Sequence, residues 1–287
     1  MNIKITGQSG YLGNLVKNVL SQNGHNVSPI KRSQLYGDIE QLQNEISGTD
    51  VVIHLAGSPI LTRWNQKNKK MITDSRVVTT QNLTKAIAIL HPEHRPKKLI
   101  QASAIGIYKA YNNHGEQSLN FDTGFVGTVV AQWENASADL PVDVEKVIFR
   151  IGLVIGKNAK TITNLVLPFR LGLGAKIGNG NQPFPFIHDS DVAAAFVWAT
   201  ENDSAKGIYN LVAPQQITNK QFTAAFAKTL NRPAFFSIPQ FTLKIALGEA
   251  AVLLTEIPSV TPEKLVNAGF RFQFPTIELA LKEILHQ

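Results

Sequence analysis

Thr6-Gly7-Gln8-Ser9-Gly10-Tyr11-Leu12-Gly13 follows a short apolar run that begins at Ile3, and it leads into Leu15, Val16, Val19 and Leu20 at helical spacing. A glycine-rich turn between a buried strand and a helix is the context that gives such a pattern meaning. Gly7 suits a tight turn, Gly10 leaves room for a pyrophosphate to approach backbone amides, and Gly13 lets the helix pack close to the strand. The helix start around Gln8, Ser9, Tyr11 and Leu12 adds roughly half a positive charge where phosphates would lie. Residues from Asn2 to about Gly57 are therefore expected to bind a nicotinamide dinucleotide. The alternative is a structural turn without a ligand.

Working outward, His25 to Ile30 reads as a second strand and Asp50-Val-Val-Ile-His-Leu-Ala56 as a third. A helix around Ile72 to Leu90 comes next, then a strand at Lys98 to Ala102, a helix near Gly127 to Ala138 and a strand at Val144 to Ile151. This alternation predicts an α/β protein, a Rossmann doubly wound parallel sheet with its ligand site at the carboxyl ends of the strands. After Gly156 the texture changes to glycines, prolines and aromatic residues, as in Leu167-Pro-Phe-Arg-Leu-Gly-Leu-Gly174 and Pro183-Phe-Pro-Phe186. Residues 1–156 are expected to form the NAD(P)-binding domain and 157–287 mainly a smaller C-terminal substrate lobe. A portion at about 186–212 is expected to return to the sheet.

Ser28-Pro-Ile-Lys31-Arg32-Ser33 carries two cations where a ribose-binding carboxylate would favour NAD. An acidic residue repels a 2′-phosphate, whereas Arg32 can donate charged hydrogen bonds to it at ~1.5–3 kcal/mol each. NADP is thus expected, with NAD as the alternative, and Lys31 and Arg32 as merely solvated loop residues is the competing reading. Asp38 and Ile39 are placed on the adenine side, and Leu55, Ala56 and Gly57 along the cofactor.

The 287 residues are 44% hydrophobic and 17% charged, which supports a sizeable core and argues against disorder. There is no cysteine, so disulfides, thiolate nucleophiles and cysteine zinc sites are excluded. His91 and His94 flank a proline and have no third ligand nearby, so no metal site is expected. A formal charge of +7 favours anionic partners, among them nucleotides, nucleic acid and acidic membrane surfaces. The basic runs, Lys67, Lys69 and Lys70 and then Arg95, Lys97 and Lys98, are short and dispersed, so a small-molecule substrate is expected and neither nucleic acid nor a membrane. The apolar stretch from Phe241 to Leu254 is interrupted by Lys244 and Glu249, and a cytoplasmic location is the expectation. Oligomeric state is not legible.

The TGxxGxxG form at Thr6 to Gly13 is joined by His54-Leu-Ala-Gly-Ser-Pro-Ile60, Asp74-Ser-Arg76 and Ala102-Ser-Ala-Ile-Gly-Ile-Tyr108. Further on stand Phe186-Ile-His188-Asp-Ser-Asp191 and Ala268-Gly-Phe-Arg-Phe272. In these the chain resembles the atypical extended short-chain dehydrogenase/reductases, in particular the YfcH-like family named as sugar-nucleotide epimerases. The resemblance spans nearly the whole chain, and it implies a Rossmann cofactor domain with a C-terminal lobe for a small molecule, a nucleotide sugar being the implied class.

Typical members of that superfamily use Tyr-x-x-x-Lys, the lysine lowering the pKa of a tyrosine that is otherwise near ~10. Anchoring on Glu134 puts Val126 and Val130 at those two positions. Ser103 matches the serine that orients substrate, and Tyr108, with Lys109 beside it, is the substitute acid/base candidate. Glu116 is a further proton carrier to consider. Arg150, Arg170 and His188 are the substrate-binding candidates, with Asn179 as a companion to Arg170. For Ser103, Tyr108 and Arg150 the competing readings are a strand-end hydrogen bond, a packing aromatic and a structural ion pair. Two functions remain open: an NAD(P)-dependent epimerase or oxidoreductase, and a catalytically quiet NADP-binding sensor.

Overall fold

The computed structural model describes residues 1–286. Six parallel strands form the central sheet: β1 (Asn2–Thr6), β2 (Asn26–Ile30), β3 (Val51–His54), β4 (Lys98–Ala104), β5 (Glu145–Ile151) and β6 (Gly207–Leu211), in the spatial order β6-β5-β4-β3-β1-β2. It is a Rossmann-type α/β fold. The direction of strand addition reverses between β1 and β3, and a ligand crevice is expected at that point.

Both faces of the sheet are covered, so β3 buries all four of its residues, the apolar Val51, Val52 and Ile53 and then His54. On one face Ile3, Ile5, Ile53 and Ile100 pack with Val16 and Leu20 of the Tyr11–Gln22 helix and with Phe196 and Ala199 of the Asp189–Glu201 helix. On the other, Val52 and Leu99 pack with Leu42 and Ile46 of the Ile39–Ile46 helix and with Leu83 and Ile87 of the Val77–Ala88 helix. Alternate residues of one strand thus serve two cores.

A separate apolar cluster, with Ile155, Phe169, Phe186, Phe226, Leu281 and Ile284, holds the C-terminal lobe. Two short parallel pairs belong to it, Leu153–Ile155 beside Phe186–His188 and Ala175–Ile177 beside Phe236–Ile238.

The helix expected around Ile72 to Leu90 is two helices, Gln66–Asp74 and Val77–Ala88, which meet at Ser75 and Arg76. The turn between them gives the Ser75 hydroxyl to the backbone, where it accepts from Ser58 N at 2.9 Å. Apolar periodicity runs through the junction, so spacing alone does not mark the break.

Candidate functional site

The register of the sheet assembles the site. Thr6 is level with Ile30 on one side and with His54 on the other, so the next residues, Gly7, Lys31 and Leu55, emerge side by side at the carboxyl edge. A cleft of about 560 Å³ opens there, lined by Gly7, Gln8, Ser9, Gly10, Lys31, Arg32, Leu55, Ala56 and Gly57 together with Asn14, Pro29, Ile30, Leu35, Tyr36, Ser58, Ser75 and Thr79. None of these residues is a carboxylate.

Two glycines explain how the turn closes. Gly7 has φ 68°, a conformation that favours glycine, and a Cβ on it would lie 2.6 Å from Leu55 O. A Cβ on Gly13 would lie 2.1 Å from Gly7 O, so the helix can sit against the turn only with a hydrogen at that position. Gly10 caps the Tyr11–Gln22 helix with no side chain of its own at the cap, and the open amide end faces an anion site.

Arg32 lies over the Tyr36 ring at 5.6 Å, and Lys31 precedes the short helix it caps. Asp38 instead caps the Ile39–Ile46 helix, accepting from Glu40 N at 3.3 Å, and Ile39 packs in the core beneath. Tyr11 donates to Asp189, and burial, joined by that carboxylate, pushes its pKa up. Leu12 packs on the main core.

Arg76 was not singled out as a site residue from the sequence. Its guanidinium sits 5.2 Å over the Trp133 ring and within 3.4 Å of where a Cβ of Gly57 would be. It donates to Ile72 O at 3.1 Å, and among the described residues no carboxylate lies within salt-bridge distance of it. Burial lowers its pKa to about 10, which still leaves the cation fully charged at neutral pH. Gln8 Oε1 is a buried acceptor without a protein partner at the same cleft. An unpaired cation, an orphaned polar atom and a glycine cradle together fit a dinucleotide.

Behind the cleft a fixed polar chain holds the turn. The Thr80 hydroxyl donates to Arg76 O at 2.6 Å, so its oxygen accepts from His54 Nε2 at 2.9 Å. Thr6 Oγ1 accepts from Leu55 N and Ala56 N at 3.0 and 3.1 Å, so its proton goes to His54 Nδ1 at 2.8 Å. The network assigns one neutral tautomer, and full burial pushes the His54 pKa down to about 4. His54 thereby fixes the residues that line two sides of the cleft.

Ser103, Arg150 and Asn210 occupy one row across β4, β5 and β6. Ser103 Oγ donates to Glu134 Oε1 at 2.5 Å, and Arg150 makes a two-point contact with the same carboxylate at 2.8 and 2.7 Å. Arg150 also donates to the Tyr108 hydroxyl at 2.8 Å, which in turn donates to Asn210 Oδ1 at 2.8 Å. Tyr108 is 1% exposed and stacks on His114, and burial raises its pKa. Ser103, Tyr108 and Arg150 are therefore brought together, but onto one another and Glu134 rather than onto the cleft. Glu116 is likewise buried and accepts from Asn210 N and Lys264 N at 3.0 and 3.2 Å.

Val126 packs on Gly106, where a Cβ would lie 2.6 Å from its Cγ1, and Val130 is buried with Ile105, Ile107 and Tyr108. His188 is 1% exposed, caps the Asp189–Glu201 helix through Ser190 N at 3.2 Å and meets Glu283 at 3.1 Å. Arg170 is exposed at the end of the Lys160–Arg170 helix, and Asn179 is exposed on the loop after Ala175–Ile177. Among the described residues no group of three acidic or histidine side chains suits a metal.

A model of the NAD dependent epimerase/dehydratase family matches residues 3–211, and one of a domain of unknown function (DUF1731) matches residues 238–284. The chain belongs to the NAD dependent epimerase/dehydratase family. It is similar to the mouse epimerase family protein SDR39U1, 35% identical over 99% of this chain and 100% of that one. It is also similar to the epimerase family protein YfhF of Bacillus subtilis, 31% identical over 99% and 98%. The crystal structure of human SDR39U1 (isoform 2) with NADPH superposes with a TM-score of 0.93 at 32% identity, over the full length of both chains.

Proposed function

We propose that this chain binds NADP(H) in the glycine-turn cleft and transfers hydride to and from a small molecule held by the C-terminal lobe, with a nucleotide sugar as the substrate class. The observation that carries the reading is a carboxylate-free cleft that combines the glycine turn with Lys31 and Arg32, with the unpaired Arg76 behind Gly57 at its edge. A human relative solved with NADPH supports it. The bound nucleotide supplies hydride at nicotinamide C4. The chain's own residues do the holding: the amides from Gly7 to Gly10 and the helix start take the diphosphate, and Lys31 and Arg32 take the 2′-phosphate. Arg76 adds a third cation, on the Gly57 side. Ser103 and Tyr108 act in this reading as positioning residues, since their hydroxyl protons are committed to Glu134 and Asn210.

A second reading, occupancy without turnover, is favoured by Val126 and Val130, which fill the tyrosine and lysine positions with apolar packing. Fluorescence titration and transfer of deuterium from C4-labelled NADPH separate the two. Label appearing in any of a panel of nucleotide sugars or simpler carbonyl compounds supports the enzyme, and tight binding with no transfer supports the second reading. Arg32→Ser is expected to weaken NADPH about 10- to 100-fold, as the loss of one or two charged hydrogen bonds implies, while NADH affinity stays within about twofold. Equal losses for both nucleotides would sink the NADP assignment.

A further inference from the structure

The C-terminal lobe builds a face whose chemistry differs from that of the cleft. Leu167 and Leu171 lie one helical turn apart, with Leu171 N donating to Leu167 O at 3.1 Å. The chain then turns through Gly172, which faces Pro233, and runs along Ala175–Ile177 beside Phe236–Ile238. The Gln240–Leu247 helix follows directly, its first residue against Gly178, with Phe241 and Ile245 four residues apart on one side. Along these contiguous elements Leu171, Phe235, Phe241 and Ile245 are 65, 87, 64 and 73% exposed. A concentration of large apolar side chains in water marks an interaction site.

Charge identifies the partner. Residues 157–187 and 204–248 hold nine lysines and arginines and no aspartate or glutamate. The rest of the chain holds 19 cations against 21 carboxylates, so these two segments stand out as a local excess of positive charge. Arg170, Arg232 and Lys244 are exposed on the same elements as the apolar side chains. A second copy meeting this face through a two-fold axis would bring cation against cation. Exposed apolar and cationic side chains mixed on one face match a surface that is anionic outside and apolar within.

The geometry points to docking of this face on an anionic lipid bilayer, with Leu171, Phe235, Phe241 and Ile245 entering the boundary between headgroups and acyl chains, and Arg170, Arg232 and Lys244 meeting lipid phosphates. Among the described residues no helix is long and apolar enough to cross a membrane, so the contact is peripheral. Lysine and arginine stems accommodate such a boundary by reaching outward to the phosphates. The site is independent of the nucleotide cleft.

Co-sedimentation of the full chain with vesicles tests it. Binding to vesicles of phosphatidylglycerol and phosphatidylcholine is expected to exceed binding to phosphatidylcholine alone by about tenfold or more, and to fall as salt is raised. The Phe235→Ser/Phe241→Ser double variant is expected to lose vesicle binding, as is Arg232→Glu/Lys244→Glu, while circular dichroism and NADPH affinity match the parent. Equal binding to both lipids, no binding to either, or undiminished binding by the double serine variant overturns the proposal. A concentration-dependent dimer that Phe241→Ser dissociates assigns the face to a second copy instead. Capture by a glutamate-rich amphipathic peptide with no vesicle binding assigns it to a protein, and either result overturns the lipid assignment.

Discussion

His54 shows how much one buried side chain can hold. Its two ring nitrogens join Thr6, at the end of β1, to Thr80 and so to the carbonyl of Arg76, and the ring is neutral because burial pushes its pKa down to about 4. In the unfolded chain it titrates near ~6.5. Between those values the unfolded state binds more protons, so stability is full above about pH 6.5 and falls as pH drops toward 4. This group alone is expected to remove about 2 kcal/mol between pH 7 and pH 5. His54→Leu should lose ~1–3 kcal/mol at pH 7, because the Thr6 hydroxyl is left without an acceptor, but its urea midpoint should decline less steeply with acid. An acid slope as steep as the parent's would show that His54 is not the titrating group. The sequence displays His54 within an apolar strand and gives no sign of the two threonines, 48 and 26 residues away, that fix its tautomer. Arg76 was hidden in the same way: the serine-arginine pair is visible, but the missing carboxylate partner is a property of the fold.

At the scale of elements, the turn and helix that open the chain form one unit. Gly13→Ala would drive a methyl group into Gly7 O, 2.1 Å away, and the helix cannot retreat without uncovering Val16 and Leu20. A loss of about 1–3 kcal/mol in chemical denaturation is expected, as for other overpacked core positions. NADPH affinity should fall at least tenfold, because the amides that face the phosphates move with the turn. Normal nucleotide affinity in that variant would show that the turn tolerates the displacement. This element was legible because its glycines, its strand and its helix are adjacent in sequence. The Ser75–Arg76 break was not, since helical spacing continues across it and only the distant Ser58 amide explains it. The exposed apolar face was legible only in fragments, for its leucines and phenylalanines come from segments 60 residues apart that the Ala175–Ile177 and Phe236–Ile238 pairing brings together.

Across the whole molecule, the Glu134–Arg150 pair joins the Phe125–Asn135 helix to β5, and through Ser103, Tyr108 and Asn210 to β4 and β6. Both partners are at least 90% shielded from solvent. Arg150→Met should cost about 3–5 kcal/mol by stranding a buried carboxylate, whereas Glu134→Leu/Arg150→Met should recover much of that loss. Double-mutant unfolding curves give the coupling, and additive losses would mean the pair is not a unit. The doubly wound sheet followed from alternating strands and helices, but the inward turn of Ser103, Tyr108 and Arg150 depends on strand register, which no local spacing encodes. The packing of Val126 on Gly106, and of Val130 among Ile105, Ile107 and Tyr108, carries a consequence for redesign. A tyrosine at Val126 would have to repack against Gly106, and a lysine at Val130 would leave an ammonium in a hydrocarbon pocket. Installing a working dyad here therefore calls for hollowing the surrounding packing first, and two substitutions alone would unsettle the core before they supplied any chemistry.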